Sequence, residues 1–238
     1  METLKGKNIL ITGATGGIGK QTAKLLVQSG ANVFLSGRND EKLNQLAAEL
    51  KISADKIFAA DMAAPAEVHA LKEKYFAAYP SIDILINAAG IGIIKSMETL
   101  SEADFLRTLQ SNLFGPFLLM KSFLPSMKEN KKGLIINIPG VLGKVPMAGA
   151  AAYSASKYGL VGMMQSIREE LKRTDIRITN LFMGGADTPF WDTIDLRVQR
   201  DKMIMAEEAA RAIWFLCQQP ASGVVSEMVL QPFNHQAI

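Results

Sequence analysis

Short runs of apolar and β-branched residues alternate along the whole chain with longer segments whose apolar positions recur at helical spacing. The short runs predict strands at residues 8–12, 32–36, 56–60, 83–87, 134–138, 176–182 and 228–230. The longer segments predict helices at residues 17–29, 40–51, 65–79, 101–129, 152–173 and 206–218, with a break in the fourth near Gly115-Pro116. This alternation predicts an α/β fold, a doubly wound parallel sheet of about seven strands with helices on both faces.

Composition and charge narrow the class of protein. The 238 residues are 48% hydrophobic and 21% charged, which argues against disorder. They contain no repeat and no linker, so we expect one domain over residues 1–238. The net charge of +3 is small and scattered, which argues against a nucleic-acid groove. No apolar run reaches the roughly 18–20 residues that a membrane span needs, so we expect no membrane partner.

The cysteine and histidine content points to a reducing compartment and away from metal chemistry. Cys217 is the only cysteine, so an internal disulfide is excluded. The N-terminal residues lead directly into the first predicted strand and do not resemble a signal peptide. We expect His69 and His235 at the surface, and no spacing of Cys, His and carboxylates is typical of a metal site. We therefore expect a cytoplasmic protein.

A glycine-rich turn follows the first predicted strand and opens the first helix. Its sequence, residues 12–19, is Thr-Gly-Ala-Thr-Gly-Gly-Ile-Gly. Glycine lets the backbone approach phosphate groups closely, and a helix N-terminus offers free N–H groups and the positive end of a dipole. An ordinary glycine-rich connection is the alternative, but the position after a first strand favours a dinucleotide site.

The end of the second predicted strand bears on the choice of dinucleotide. Sites that prefer NAD place an acidic residue here to bind the ribose 2′-hydroxyl. This chain has Arg38 and no acid before Asp40. Because a guanidinium pairs with a 2′-phosphate, Arg38 favours NADP(H); the alternative is a solvated loop charge.

Tyr153 and Lys157 lie four residues apart on a predicted helix and therefore share one of its faces. A phenol with an ordinary pKa near 10 is a poor acid–base catalyst at neutral pH. A neighbouring ammonium stabilises the phenolate, so we expect Lys157 to bring the pKa of Tyr153 toward the working range. An amphipathic helix surface is the alternative interpretation of Lys157.

The glycine turn, the sequence Asn-Ala-Ala-Gly at residues 87–90 and the Tyr-x-x-x-Lys pair together resemble the short-chain dehydrogenase/reductase superfamily. The resemblance extends from residue 7 to about residue 232 and is strongest to NADP-dependent 3-oxoacyl-reductase-like members. It implies a Rossmann-type sheet and an oxidoreductase.

The resemblance also implies a role for individual residues. Asp61 would bind the adenine amine with Met62 beside it, Asn87 and Gly90 would line the inner ribose, and Thr188 would meet the carboxamide. Tyr153 would exchange the proton with the substrate oxygen, Lys157 would hold the nicotinamide ribose, and Asn112 would support a water-linked relay. A polar contact inside a helix is the alternative for Asn112. The full cofactor set is Gly13, Thr15, Gly17, Ile18, Gly19, Arg38, Asp61, Met62, Asn87, Gly90, Tyr153, Lys157 and Thr188.

Two positions depart from the family pattern. A serine is expected thirteen residues before Tyr153, where its hydroxyl would bind the substrate carbonyl, and this chain has Gly140. Met183 stands where the family usually has a proline. We expect Ser154 and Ser156 to point elsewhere and not to replace the missing hydroxyl. Loss of one such donor lowers turnover about 10²–10³-fold, so a Gly140→Ser variant would be expected to regain about that factor.

These features predict an NADP(H)-dependent oxidoreductase that interconverts a carbonyl and an alcohol, weakened by loss of the serine. The alternatives are a catalytically silent NADP(H)-binding sensor or assembly protein, and a non-redox acid/base enzyme in the same cleft. We expect residues 187–205 to form a variable substrate loop. The resemblance implies a homodimer or homotetramer formed through residues 102–129 and 152–173, with a small-molecule carbonyl or alcohol as substrate.

Overall fold

The computed structural model describes residues 2–234, so His235 lies outside the described residues. The strands are β1 (Asn8–Thr12), β2 (Asn32–Gly37), β3 (Ile57–Ala59), β4 (Ile84–Asn87), β5 (Lys132–Asn137), β6 (Asp175–Met183), β7 (Ala186–Asp187), β8 (Ile204–Met205) and β9 (Glu227–Leu230). The α-helices are α1 (Gly17–Gln28), α2 (Asp40–Leu50), α3 (Pro65–Ala78), α4 (Glu102–Leu109), α5 (Gly115–Glu129), α6 (Ala151–Glu170) and α7 (Ala206–Leu216).

Seven of these strands form one parallel sheet in the order β3-β2-β1-β4-β5-β6-β9. The predicted doubly wound fold is therefore confirmed, and the seven predicted strands are found with ends shifted by no more than two residues. The order reverses direction on either side of β1 and β4, where a doubly wound sheet opens a crevice at its carboxyl edge.

Helices cover both faces of the sheet. One face carries α1, α2 and α7, which bury Leu26, Leu43 and Ile213 against the sheet. The other carries α3, α5 and α6, where the ring of Tyr75 packs edge-on against that of Phe123 with centroids 5.4 Å apart. Within residues 2–234, no helix is both long enough and apolar enough to cross a bilayer.

The predicted helix at residues 101–129 is three consecutive segments. Ser101 caps α4 by accepting a hydrogen bond from the Asp104 N–H at 3.1 Å. A π-helical stretch, Gln110–Phe114, then precedes α5. The interruption therefore begins before Gly115 rather than at it. Because Pro116 has no N–H, it cannot donate a backbone hydrogen bond to the preceding turn. A helix can widen where such a bond is missing.

The predicted variable loop at residues 187–205 contains two short 3₁₀ turns, Pro189–Thr193 and Arg200–Lys202. It is enclosed by a second, two-stranded parallel sheet in which β7 pairs with β8. This small sheet folds the region back over the carboxyl edge of the main sheet, where the predicted site residues lie.

Candidate active site

The glycine turn after β1 is packed so closely that side chains are excluded from it. Gly13 has a φ of +67°, and a Cβ atom there would lie 2.6 Å from the amide nitrogen of Ala89. A Cβ atom at Gly19 would collide with the carbonyl of Gly13. The turn therefore rests on the segment at residues 87–90. Gly16 caps α1 without a side-chain hydrogen bond, so the first-turn N–H groups are not covered by a capping side chain.

Thr188, from beyond β6, meets this turn. A Cβ atom at Gly17 would lie 2.7 Å from Cγ2 of Thr188, which is itself buried. On the other side, Thr15 lies next to the end of β2, because a Cβ atom at Gly37 would be 3.2 Å from Thr15 Oγ1. Ile18 packs against the core beneath the turn. The structure thus places the predicted turn residues together.

Arg38 follows β2 and is exposed. Among residues 2–234 it has no hydrogen bond or ion pair, whereas its neighbour Asn39 caps α2 by accepting from the Lys42 N–H at 2.8 Å. Asp61, after β3, accepts a hydrogen bond from the Ala63 N–H at 2.9 Å. The guanidinium of Arg38 is therefore available to a ligand at the edge of the glycine turn.

A row of buried asparagines crosses three neighbouring strands, at the ends of β4 and β5 and inside β6. The register pairs Asn87 with Asn137 and Asn137 with Asn180. Asn87 Nδ2 donates to Asn137 Oδ1 at 2.7 Å, and Asn137 Nδ2 donates to Asn180 Oδ1 at 3.5 Å. The amide donor of Asn87 is therefore used inside the sheet. Sequence analysis missed Asn137 and Asn180, although an asparagine at or near the end of each strand was the available signal.

Tyr153, Lys157 and Asn112 are brought together beside Gly90. A Cβ atom at Gly90 would lie 3.1 Å from Asn112 Oδ1 and 3.8 Å from Lys157 Nζ. Lys157 is buried, and its Nζ donates to the carbonyl of Ile138 at 3.0 Å. The same Nζ lies 5.3 Å from the centroid of the Tyr153 ring.

Burial controls the ionisation of this pair. It raises the pKa of Tyr153 to about 12 and lowers the pKa of Lys157 to about 8, because a desolvated site disfavours both charged forms. The expectation that Lys157 lowers the pKa of Tyr153 is therefore not met in this arrangement. The physical reason is desolvation, which shifts the pKa of each group, while the ammonium donates to the Ile138 carbonyl.

Ser156 points into the interior toward Asn112 and thereby joins the site. Its hydroxyl donates to the carbonyl of Tyr153 at 2.6 Å and accepts a hydrogen bond from Asn112 Nδ2 at 3.2 Å. Ser154, by contrast, buries a hydroxyl that has no hydrogen-bond partner among the described residues. The signal for Ser156 was its position between Tyr153 and Lys157, three residues after the tyrosine.

Gly140 has a backbone conformation that other residues rarely adopt. Its φ is +70° and its ψ is 171°, and a Cβ atom there would lie 3.3 Å from the carbonyl oxygen of Met183. This region of φ and ψ is populated almost entirely by glycine. Gly140 therefore gives this loop a backbone conformation that a serine at the same position would not readily adopt. Met183 is buried, and its position at the end of β6 is paired with Leu230 of β9.

The segment after β7 covers the tyrosine. The Phe190 ring occupies the space where a side chain at Gly92 would begin, and its centroid lies 6.1 Å from that of the Tyr153 ring, in an edge-on arrangement. Trp191 packs edge-on against Phe190 and donates its indole N–H to the carbonyl of Ala186 at 2.9 Å. An apolar wall therefore faces the tyrosine ring.

Arg200 holds this segment closed. Its guanidinium donates to Asp187 Oδ1 at 2.5 Å, to Asp192 Oδ1 at 2.6 Å and to the carbonyl of Thr188 at 3.0 Å. One side chain thus ties three positions that flank Phe190.

Replacing Arg200 with alanine should loosen the segment. Exposed ion pairs are weak, so loss of the two ion pairs and one hydrogen bond should speed chymotryptic cleavage after Phe190 and Trp191 only severalfold. Limited proteolysis followed by mass spectrometry measures this rate. Lys202→Ala, which removes an exposed cation two residues away, is the control. Equal cleavage rates in the two variants would contradict the role of Arg200 in holding residues 187–192 in place.

The parallel sheet, the glycine turn and the Tyr–Lys pair, with a half-buried Tyr153 and a buried Lys157, are typical of an α/β protein with a dinucleotide-type cleft. Residues 7–198 match the family model described as short chain dehydrogenase. The chain belongs to this family.

Two curated relatives and one solved structure illustrate the similarity. A Staphylococcus epidermidis protein described as an uncharacterised oxidoreductase is 30% identical over 232 residues, covering 98% of this chain and 100% of its own length. A Rickettsia felis 3-oxoacyl-[acyl-carrier-protein] reductase is 33% identical, covering 96% of each chain. A metagenomic short-chain oxidoreductase solved in complex with NADP is 31% identical, with a TM-score of 0.82 and coverage of 97% of this chain and 99% of that one.

Proposed function

We propose that this protein is an NADP(H)-dependent oxidoreductase that interconverts a carbonyl and an alcohol on a small molecule. The observation that carries the proposal is the convergence of Tyr153, Lys157 and Asn112 beside Gly90, directly below the glycine turn. When bound, the cofactor supplies or accepts the hydride, and the protein supplies orientation and the proton.

The residues around the turn fit a dinucleotide. A Cβ atom at Gly13, Gly17 or Gly19 would collide with Ala89, with Thr188 or with the Gly13 carbonyl, so these glycines let the turn pack tightly at the N-terminus of α1, where a pyrophosphate would bind. Thr188 lies against this turn, as a residue that meets the nicotinamide end would. We propose that the cofactor is held by Gly13, Thr15, Gly17, Ile18, Gly19, Arg38, Asp61, Met62, Asn87, Gly90, Tyr153, Lys157 and Thr188.

Three side chains divide the acid–base work in this proposal. Tyr153 gives a proton to the substrate oxygen, or takes one from it, and with a pKa of about 12 it is protonated at neutral pH. Lys157, with a pKa of about 8, is mostly charged at pH 7 and holds the cofactor ribose. Asn112 supports the water-linked relay that returns a proton to Tyr153 after each turnover. Gly140 contributes no hydroxyl donor, so we propose an activity about 10²–10³-fold below that of a complete site.

The direct test is NADPH consumption against a broad panel of aldehydes and ketones. We expect slow turnover of one or more members. Tight NADPH binding without turnover of any carbonyl would count against the proposal.

Arg38 is the basis for proposing NADP(H) rather than NAD(H), and this preference has its own test. An Arg38→Ala variant should bind NADPH about tenfold more weakly, because a charge-assisted hydrogen bond contributes roughly 1.5–3 kcal/mol when fully formed and less at an exposed site. NADH binding should not change, since NADH has no 2′-phosphate. Nucleotide fluorescence titration measures both affinities. Lys42→Ala, an exposed cation on α2, is the control, and an equal loss in the two variants would contradict the assignment.

A silent NADP(H)-binding sensor or assembly protein is the second candidate. The glycine-only conformation of Gly140 favours it, because the loop that would carry the oxyanion donor follows a path unsuited to serine. Retention of Lys157 and Asn112 beside Gly90, with the Tyr153 ring next to Lys157, favours the enzyme.

We also propose that the protein forms a homodimer or homotetramer in the cytoplasm. Leu106, Phe114 and Phe117 expose apolar side chains on one face of α4, the π-helical stretch and α5. This face continues onto α6, where a Cβ atom at Gly159 would lie 2.9 Å from Leu113. A second copy of the chain would cover the same patch on both molecules, as two-fold symmetry requires.

A further inference from the structure

We infer that Ser156 is a positioning residue that fixes the Asn112 amide in its working orientation. Ser156 is fully buried, so water does not compete for its hydroxyl. The hydroxyl lies between the Tyr153 carbonyl and the Asn112 amide. The catalytic consequence of this inference rests on the proposed function, whereas the contact itself is independent of it.

The hydrogen-bond inventory determines which way the amide faces. A serine hydroxyl has one hydrogen, and here that hydrogen is donated to the carbonyl of Tyr153 at 2.6 Å. The hydroxyl oxygen is therefore left to accept, and only the nitrogen end of the Asn112 amide offers it a hydrogen. A turned-over amide would place two acceptors, Oδ1 and the serine oxygen, against each other.

The backbone of Ile91 makes the remaining two hydrogen bonds of the Asn112 amide. Asn112 Oδ1 accepts from the Ile91 N–H at 2.9 Å, and Nδ2 donates to the Ile91 carbonyl at 2.9 Å. The second hydrogen of Nδ2 is the one donated to Ser156. Both hydrogens of the amide are thus used, one on the loop after β4 and one on α6. Ser156 is the contact that links Asn112 to the helix of Tyr153 and Lys157.

The position of Asn112 explains why the hydrogen bond from Asn112 to Ser156 would affect the site. Asn112 stands in the π-helical stretch, a local widening between α4 and α5, rather than in a regular helix. Its Oδ1 and the Nζ of Lys157 both lie within 4 Å of the point where a side chain at Gly90 would begin. A small rotation of the amide would therefore change what Lys157 faces, without moving any residue of the glycine turn.

The chain offers a matched control for the test. Ser154 is also a serine of α6 with a buried hydroxyl, but that hydroxyl has no hydrogen-bond partner within residues 2–234. Ser156→Ala and Ser154→Ala therefore make the same chemical change on the same helix, and they differ in whether a contact to Asn112 is lost. Each is made alone and together with Asn112→Ala, and kcat, the KM for NADPH and the urea midpoint of unfolding are measured. The substrate is the panel carbonyl with the highest rate.

We expect Ser156→Ala to lower kcat about three- to tenfold, the range of one neutral hydrogen bond, without changing the KM for NADPH. In the Asn112→Ala background it should have no further effect on kcat, and its effect on the urea midpoint should shrink, because the contact is already gone. Ser154→Ala should leave kcat unchanged and should be additive with Asn112→Ala. If Asn112→Ala does not fold, Ser156→Cys, with a weak acceptor in place of the hydroxyl, should give a kcat between those of Ser156→Ala and the unmodified protein.

The outcomes separate the inference from the proposed function. Turnover with equal, additive effects of the two alanine variants would overturn the role of Ser156 and leave the oxidoreductase intact. Absence of turnover together with non-additive unfolding midpoints for Ser156 and Asn112 would overturn the oxidoreductase and support the contact. A purely structural role would lower the urea midpoint without changing kcat, and that result would also overturn the inference.

Discussion

Replacing Tyr153 with phenylalanine should lower NADPH-dependent carbonyl turnover about 10²–10⁴-fold, the range supplied by a positioned general acid or base. The phenylalanine keeps the ring that packs edge-on against Phe190, so the fold of the cleft should be retained. Only the hydroxyl that exchanges a proton with the substrate oxygen is removed. Initial rates of NADPH consumption with the best panel substrate measure the effect.

Tyr158 provides the control for this experiment. It lies on the same helix and is 45% exposed, so Tyr158→Phe removes a hydroxyl that faces solvent. That variant should keep full activity. NADPH affinity should also be nearly unchanged in Tyr153→Phe, since Lys157 and the glycine turn are intact. Undiminished turnover in Tyr153→Phe would exclude Tyr153 as the acid–base group.

Replacing Gly140 with serine should destabilise the protein by about 2–3 kcal/mol, because a residue with a Cβ atom is forced into a backbone region that is nearly exclusive to glycine. The φ of +70° and the 3.3 Å approach to the Met183 carbonyl both oppose the new side chain. The midpoint of urea denaturation measures the loss. Gly162→Ser is the control, because no atom of the described part of the chain lies within 4 Å of a Cβ atom at Gly162 and its helical backbone accepts serine.

The same conformation limits what the serine hydroxyl can restore. The sequence pattern alone predicts a gain of about 10²–10³-fold when the missing donor is returned. Since the loop must first leave its present path, we expect a much smaller gain from Gly140→Ser alone. A hundredfold rise in turnover with unchanged stability would contradict this and would show that the loop readily accepts a serine.

The features that are local in sequence could be predicted from it. The alternation of strands and helices follows from the spacing of apolar residues, and the glycine turn follows from its position after β1. The proximity of Tyr153 and Lys157 follows from helical spacing alone. These depend on contacts between residues that are close along the chain.

The features that depend on distant segments could not be predicted. The contact between Ser156 and Asn112 joins α6 to a π-helical stretch 44 positions earlier. No sequence pattern around either residue predicts that the two side chains meet. The clamp of Arg200 on Asp187 depends on how β7 and β8 pair. The backbone angles of Gly140 are set by the packing of the β5–α6 connection against β6. In each case the sequence shows which residue is present but not which distant segment it contacts.

The asparagine row has a consequence for how the sheet edge behaves as a unit. Asn87 Nδ2 donates to Asn137 Oδ1 and Asn137 Nδ2 donates to Asn180 Oδ1, so the three amide dipoles point head to tail across the strands. The row ends on an unpartnered oxygen at Asn87 and an unpartnered nitrogen at Asn180 among the described residues. Turning over one amide would set oxygen against oxygen or nitrogen against nitrogen, so the three must keep or reverse their direction together. The floor of the cleft is therefore polarised, with its acceptor end beneath the glycine turn and its donor end toward β9.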